Sequence, residues 1–275
     1  MIVHTRYNFL KIFTEASMTG AIIGDIVGSR FEYHNIHTKK FCLLSPSCHI
    51  TDDSVLTMAV AKALVTSKPD FSDLADNTVS CLREFGRRKF AAYGKMFSNW
   101  LYSENPKPYN SFGNGAGMRV SPVGFFAQNL EECKTLAQIV TAVTHNHPEG
   151  IKGGEAIAVC VFLARTGKTK DEIRDFVNQN YYKLDFTLDD LRGAYQWSST
   201  CQGSVPQAIE CFLESTSFVD AIRNAISIGG DSDTIAAMTG AIAEAFYGMP
   251  KYLRAAASFY CPHSMFKYVK MIYKR

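Results

Sequence analysis

Apolar residues fall in long blocks with little period-two alternation. Residues 55–65 (VLTMAVAKALV) are apolar on nearly every face, which predicts a helix with no solvated side. Residues 235–247 (IAAMTGAIAEAFY) repeat that pattern with many small side chains. Further helices are predicted over 136–144 and 153–164, and Thr169-Lys-Asp-Glu172 has the spacing of a capping box. The one short strand candidate is Phe41-Cys42-Leu43-Leu44. The pattern therefore predicts an all-α fold in a single domain over 18–275, with no linker and no internal repeat. Three stretches break the helical signal: 31–50, 103–122, and the residues around Gly229 to Asp233. Loops of such length in a compact domain more often carry function than merely connect.

Composition narrows this reading. The chain has 275 residues, 47% hydrophobic and 20% charged, with a formal net charge of +3. It is long enough to bury its own core, and its charge is too small to imply a nucleic-acid or membrane partner. The eight cysteines form no CxxC pair, and several lie inside apolar runs, as free thiols of a reducing, cytoplasmic setting do. No apolar run approaches the roughly 20 residues that span a bilayer. Residues 1–17 mix charge with aromatics and have no signal-peptide core, so they are expected to be a peripheral extension, or Met18 to be the working start.

Five polar clusters could carry chemistry. Thr51-Asp52-Asp53-Ser54 directly precedes the first apolar block. Acids there can serve simply as helix caps, but paired carboxylates with a threonine also offer the hard oxygen ligands that Mg²⁺, Mn²⁺ or Ca²⁺ prefers. Gly229-Gly230-Asp231-Ser232-Asp233-Thr234 precedes the last apolar block and supplies two acids where one cap needs only one. Two acid-rich turns feeding two buried helices predict a shared dinuclear site. Gly20, Gly24 and Gly28 form a smooth stripe for close helix packing; Asp25 among them must be hydrogen-bonded to be tolerated, and Glu32 follows the helix end, where the dipole gives it nothing. Ser111-Phe112-Gly113-Asn114-Gly115-Ala116-Gly117-Met118-Arg119 alternates glycines as phosphate-cradling backbone does, yet matches neither the Walker nor the dinucleotide pattern. His145-Asn146-His147-Pro148 sits at a helix end without the companion ligands of a zinc site, so a polar lining role is expected.

In this order the five segments resemble the ADP-ribosylglycohydrolase family, which includes the dinitrogenase reductase-activating glycohydrolases, over about Met18 to Gly248. The resemblance implies an all-α fold with a binuclear Mg²⁺ or Mn²⁺ centre in a cleft, cleaving the bond between the terminal ribose of ADP-ribose and an acceptor. It implies Thr51, Asp52, Asp53, Asp231, Asp233 and Thr234 as metal ligands and Glu32 as an acid on a loop beside them. It also implies a substrate loop of Ser111, Phe112, Gly113, Asn114, Gly115 and Met118, with His145 in the cleft. Ser54 departs from the family, many members of which have a second threonine there. Some members have lost hydrolysis, but the six implied ligands are intact here.

Glycosidic cleavage develops oxocarbenium character on the ribose, and a divalent ion lowers the pKa of a coordinated water. Glu32, then Asp53, are the candidates for proton transfer. The competing readings are a catalytically silent ADP-ribose binder and a metal-dependent hydrolase of a small ADP-ribose-containing nucleotide. The chain has no His-Asp dipeptide of HD phosphohydrolases, and Asp52-Asp53-Ser54-Val55-Leu56 fails the terpene-synthase pattern. An ADP-ribosylated protein or other conjugate is the expected partner, its acceptor read by the 31–50 loop, with Tyr33, His34 and His37 as candidate contacts.

Overall fold

Residues 18–88 and 90–272 are described by a computed structural model, and their regular elements are all helices. The first eight are α1 (Gly20–Gly28), α2 (Asp52–Thr66), α3 (Leu74–Gly86), α4 (Lys95–Tyr102), α5 (Gly115–Met118), α6 (Ser121–Phe126), α7 (Leu130–Ala142) and α8 (Pro148–Arg165). They are followed by α9 (Lys170–Asn180), α10 (Leu188–Leu191), α11 (Cys201–Leu213), α12 (Phe218–Ser227), α13 (Ser232–Tyr247), α14 (Lys251–Tyr260) and α15 (His263–Met271). Residues 1–17, expected to be peripheral, lie outside the described part. No described helix is long and apolar enough to cross a membrane.

The core is built around α13, which packs against α1, α12, α11 and α8; α2 packs against α3 and α15. Both α2 and α13 are buried along almost their whole length, as their uniformly apolar sequences require. The glycine stripe decides how closely α1 and α13 approach. A Cβ on Gly20 or Gly24 would strike the backbone carbonyls of Gly240 and Ala236, and one on Gly28 would press on Asp233. The start of α1 is also held from α13, since Gly20 N donates to Glu244 Oε2 at 2.6 Å.

Several boundaries differ from those the apolar pattern predicts. α7 begins six residues before Leu136 because Asn129 caps it, accepting from Glu132 N at 2.9 Å. α8 begins at Pro148 rather than Gly153, since His147 caps it and proline suits the first turn. The stretch 103–122 is not one loop; α5 and the start of α6 interrupt it. Phe41–Leu44 forms no strand: Phe41 folds onto Phe31, ring centroids 5.2 Å apart, and under the Arg223 guanidinium. The capping box at Thr169 and Glu172 forms as its spacing predicts. All eight cysteines are free, seven of them buried.

Candidate active site

The close approach of α1 and α13 brings two acid-rich turns together from opposite ends of the sequence. Thr51 accepts from Asp53 N and caps α2 by itself, so neither Asp52 nor Asp53 is needed as the cap. Asp231 stands at the N-cap of α13 without a side-chain capping bond. The acids are therefore not spent on helix ends. Carboxylate oxygens of Asp25, Asp53 and Asp233 lie within 4.8 Å of one another, as do those of Glu32, Asp231 and Asp233. Asp233 belongs to both trios.

Asp25 is fully buried and organises the first turn. Its Oδ1 accepts from Thr51 Oγ1 at 2.7 Å, and its Oδ2 accepts from Thr51 N at 2.9 Å, Ser54 N at 3.1 Å and the Ser54 hydroxyl. Serine at position 54 thus supplies the hydroxyl that a threonine would. The second turn is clamped by Asn35, which no sequence signal singled out. Its amide donates to Gly230 O at 2.9 Å and to Phe31 O at 2.7 Å, while its Oδ1 accepts from Gly230 N at 2.7 Å. Gly229 and Gly230 have φ near +79° and +76°, and a side chain on Gly230 would collide with the Tyr195 ring. Asn35 therefore locks the loop bearing Glu32 onto the turn bearing Asp231.

The electrostatics of this cluster are one-sided. Among the described residues, none of Asp25, Glu32, Asp52, Asp53, Asp231 or Asp233 is ion-paired to a basic side chain. Burial, then the Asp233 charge, raises Asp25 to about 7 and Asp52 to about 8, and lifts Asp53 and Asp231 well above the ordinary carboxylate range. Asp53 Oδ1 is buried with no hydrogen-bond partner, while Oδ2 lies 3.3 Å from the hydroxyl oxygens of both Thr51 and Thr234. An orphaned carboxylate oxygen among crowded acids is the environment that a hard divalent cation satisfies. Glu32, half-buried, is raised by burial and by Asp233, against a hydrogen bond from the Tyr33 phenol.

A pH dependence follows. Carboxyls with raised folded-state pKa add no penalty below about pH 4 and destabilise the metal-free fold progressively as pH rises toward about 8. The melting temperature of EDTA-treated protein should carry that loss. A divalent cation at a hundredfold excess over Kd should restore about 2.7 kcal/mol, roughly 5–10 °C at this chain length, at pH 8. The gain should be much smaller at pH 5, where protons compete; scanning fluorimetry at both pH values decides it.

The acid cluster forms the floor of a cleft of about 920 Å³. The implied ligands and the acid beside them line it, Glu32, Thr51, Asp52, Asp53, Asp231, Asp233 and Thr234, and so do Ser111, Phe112, Gly113, Asn114, Gly115, Met118 and His145. Asp52 lies outside both trios, and Asn114 donates to Asp231 Oδ2 at 2.7 Å, tying the glycine loop to the acid turn. The N–H groups of Gly113, Asn114, Ala116, Gly117 and Met118 already have protein acceptors, fewer free donors than the glycine pattern implies. Tyr33 reaches the cleft, but His34 and His37 do not line it. Arg119, the last residue of the predicted glycine loop, lines the cleft as well; sequence reading missed the segment from Phe90 to Phe97, and Trp197 at the rim. Trp197 is 53% exposed and Phe112 44%, beside a cleft that offers aromatic faces to a ligand.

An all-helical fold with two acid turns at the floor of a cleft could hold a divalent cation, and sequence comparison identifies the family. A profile described as ADP-ribosylglycohydrolase matches residues 14–258. The chain belongs to the ADP-ribosylglycohydrolase family, an enzyme family of glycosidic-bond hydrolases. It is 26% identical to human ADP-ribosylhydrolase ARH3, over 84% of each chain. It is 25% identical to the ADP-ribosyl-[dinitrogen reductase] glycohydrolase of Rhodospirillum rubrum, again over 84% of each. With the ADP-ribosylarginine hydrolase Tri1 of Pseudomonas putida it shares 24% identity, over 86% of this chain and 70% of that one. A solved structure titled ADP-ribosylglycohydrolase-related protein complex shares the fold, with a TM-score of 0.70 at 21% identity over 95% of this chain and 97% of that one.

Proposed function

We propose that this cleft hydrolyses the bond between the terminal ribose of ADP-ribose and an acceptor, most simply an ADP-ribosylated protein side chain, so reversing the modification. The observation that carries the reading is the pair of carboxylate trios meeting at Asp233, with Asp53 Oδ1 unsatisfied between them. Two divalent cations, Mg²⁺ or Mn²⁺, would be held by Asp53, Asp231 and Asp233, with Asp52, Thr51 and Thr234 completing the set and Glu32 bordering it. When bound, they supply charge to orient the ribose hydroxyls and activate water.

The chain's own residues do the rest. Glu32, half-buried beside the acid turns, faces a ribose that turns cationic at the transition state, where a fixed negative charge stabilises it. Glu32 is the proton carrier: its raised pKa brings it toward the working range, and the Tyr33 phenol holds its carboxylate in place. Asp53 is the second candidate for that role. Ser111, Phe112, Gly113, Asn114, Gly115, Met118 and His145 receive the ADP-ribose half, and Tyr33 stands on the acceptor side. The free cysteines suit a reducing compartment such as the cytoplasm.

The test is release of free ADP-ribose from an arginine-ADP-ribosylated protein with Mg²⁺ or Mn²⁺ and again with EDTA. Metal-dependent release is expected. Glu32→Gln should lower kcat by about 10²–10⁴ while calorimetry still detects ADP-ribose binding. Release only from a serine or nucleic-acid conjugate would change the acceptor and keep the chemistry. No release from any conjugate, with ADP-ribose still bound, would make the protein a silent binder.

A further inference from the structure

Arg119 is among the largest fully buried side chains of the molecule, and among the described residues it has no carboxylate partner. Its Nη2 donates to Thr144 Oγ1 at 2.6 Å, and Thr144 Oγ1 lies 2.8 Å from His145 Nδ1. Thr144 is itself fully buried, and these two are the only partners of its hydroxyl among the described residues.

That arrangement fixes where the protons lie. A guanidinium can only donate, so it occupies a lone pair of the Thr144 hydroxyl. The hydroxyl proton then needs an acceptor, and His145 Nδ1 is the one in reach. Were Nδ1 protonated instead, two donors would converge on Thr144 and its own buried proton would have none, an arrangement costing a full unsatisfied bond. The ring is therefore an acceptor at Nδ1 and carries its proton on Nε2. Burial and the Arg119 charge both hold the His145 pKa well below the usual histidine value, so the ring stays neutral. Nε2 faces the glycine loop: a Cβ on Gly115 would sit 3.2 Å from it, and one on Gly113 3.6 Å. Those two glycines leave the N–H open to the cleft.

We infer that Arg119 and Thr144 are positioning residues, which hold His145 as a fixed neutral Nε2–H donor aimed at an oxygen of the bound ligand. A ring with the other tautomer would present a lone pair to that oxygen and repel it. The choice of ADP-ribose as that ligand rests on the function proposed above; the proton arrangement does not.

The experiment is nitrogen NMR of the ¹⁵N-labelled, Mg²⁺-loaded full chain, with His145→Asn to assign the ring, beside calorimetric titration with ADP-ribose and steady-state kinetics. Wild-type His145 should appear as the Nε2–H tautomer and stay neutral at about pH 6.5, where an ordinary histidine is half protonated. Thr144→Val, which keeps the shape and removes the hydroxyl, should mix the tautomers and weaken ADP-ribose binding about tenfold. The kinetic loss should fall on KM more than on kcat, and Thr144→Ser should restore both readouts. An Nδ1–H tautomer in the wild type would overturn the inference, as would Thr144→Val with unchanged tautomer and affinity. Should Thr144→Val fail to fold, the wild-type spectrum and Thr144→Ser still decide. Failure of ADP-ribose to bind the wild type would count against the proposed function, whereas the spectrum judges the proton arrangement by itself.

Discussion

Asp233→Asn lowers kcat/KM for ADP-ribose release by about a thousandfold or more, the scale set by removing one preorganised charge from a reacting centre. It also abolishes the metal-induced rise in melting temperature at pH 8. Both effects follow from one position, because Asp233 is the member common to both carboxylate trios. Asp231→Asn opens only the trio that contains Glu32, so it should keep part of the thermal response. The isosteric amide limits packing loss, and metal-free Asp233→Asn should melt no lower than the metal-free wild type at pH 8, having shed a buried charge. If Asp233→Asn still gains the full metal shift, the two trios do not share a ligand. Scanning fluorimetry and the release assay settle both points on the same preparations.

Gly24→Ala is expected to destabilise the fold by about 3 kcal/mol, at the upper end of ordinary overpacking, and to lower the melting temperature by roughly 6–12 °C. The added methyl would meet backbone, the carbonyl of Ala236 and the amide nitrogen of Ala237, rather than a side chain that could turn aside. α1 and α13 must then separate, and Asp25 moves with one while Asp233 moves with the other. Activity should therefore fall even at temperatures where circular dichroism finds the helices intact. A control at Gly94, where an added Cβ meets nothing within 4 Å, should leave the melting temperature nearly unmoved.

The sequence was informative wherever a local pattern had one physical solution. Apolar blocks without alternation become buried helices, and an acid pair just before such a block has little solvent to face, so the two acid-rich turns could be read directly. The glycine stripe was legible for the same reason, since three glycines at four-residue spacing serve close approach. The strand suggested at Phe41–Leu44 failed because its apolar character is used in a loop, with Phe41 packed on Phe31 and Arg223. Asn35 was missed because nothing local distinguishes it. An asparagine seven residues past a helix resembles any turn asparagine until its partner, 195 residues away, is in place. Arg119 was legible only as the end of the glycine loop; its burial and its bond to Thr144 were not. The candidate acceptor contacts His34 and His37 were named from composition alone, and side-chain direction in a loop is not encoded there.

The distance in sequence between the two halves of the floor has a consequence for the protein's birth. Glu32 and Asp53 leave the ribosome long before Asp231 and Asp233, and the bonds that join the halves, from Asn35 to Gly230 and from Gly20 to Glu244, span 195 and 224 residues. Until the last quarter of the chain emerges, the first turn has no Asp233 to complete a trio, and α1 offers its glycine groove to nothing. The acid cluster is therefore completed late, so a nascent or truncated chain ending before α13 would lack Asp233 and with it the site that the proposed metal binding and hydrolysis need.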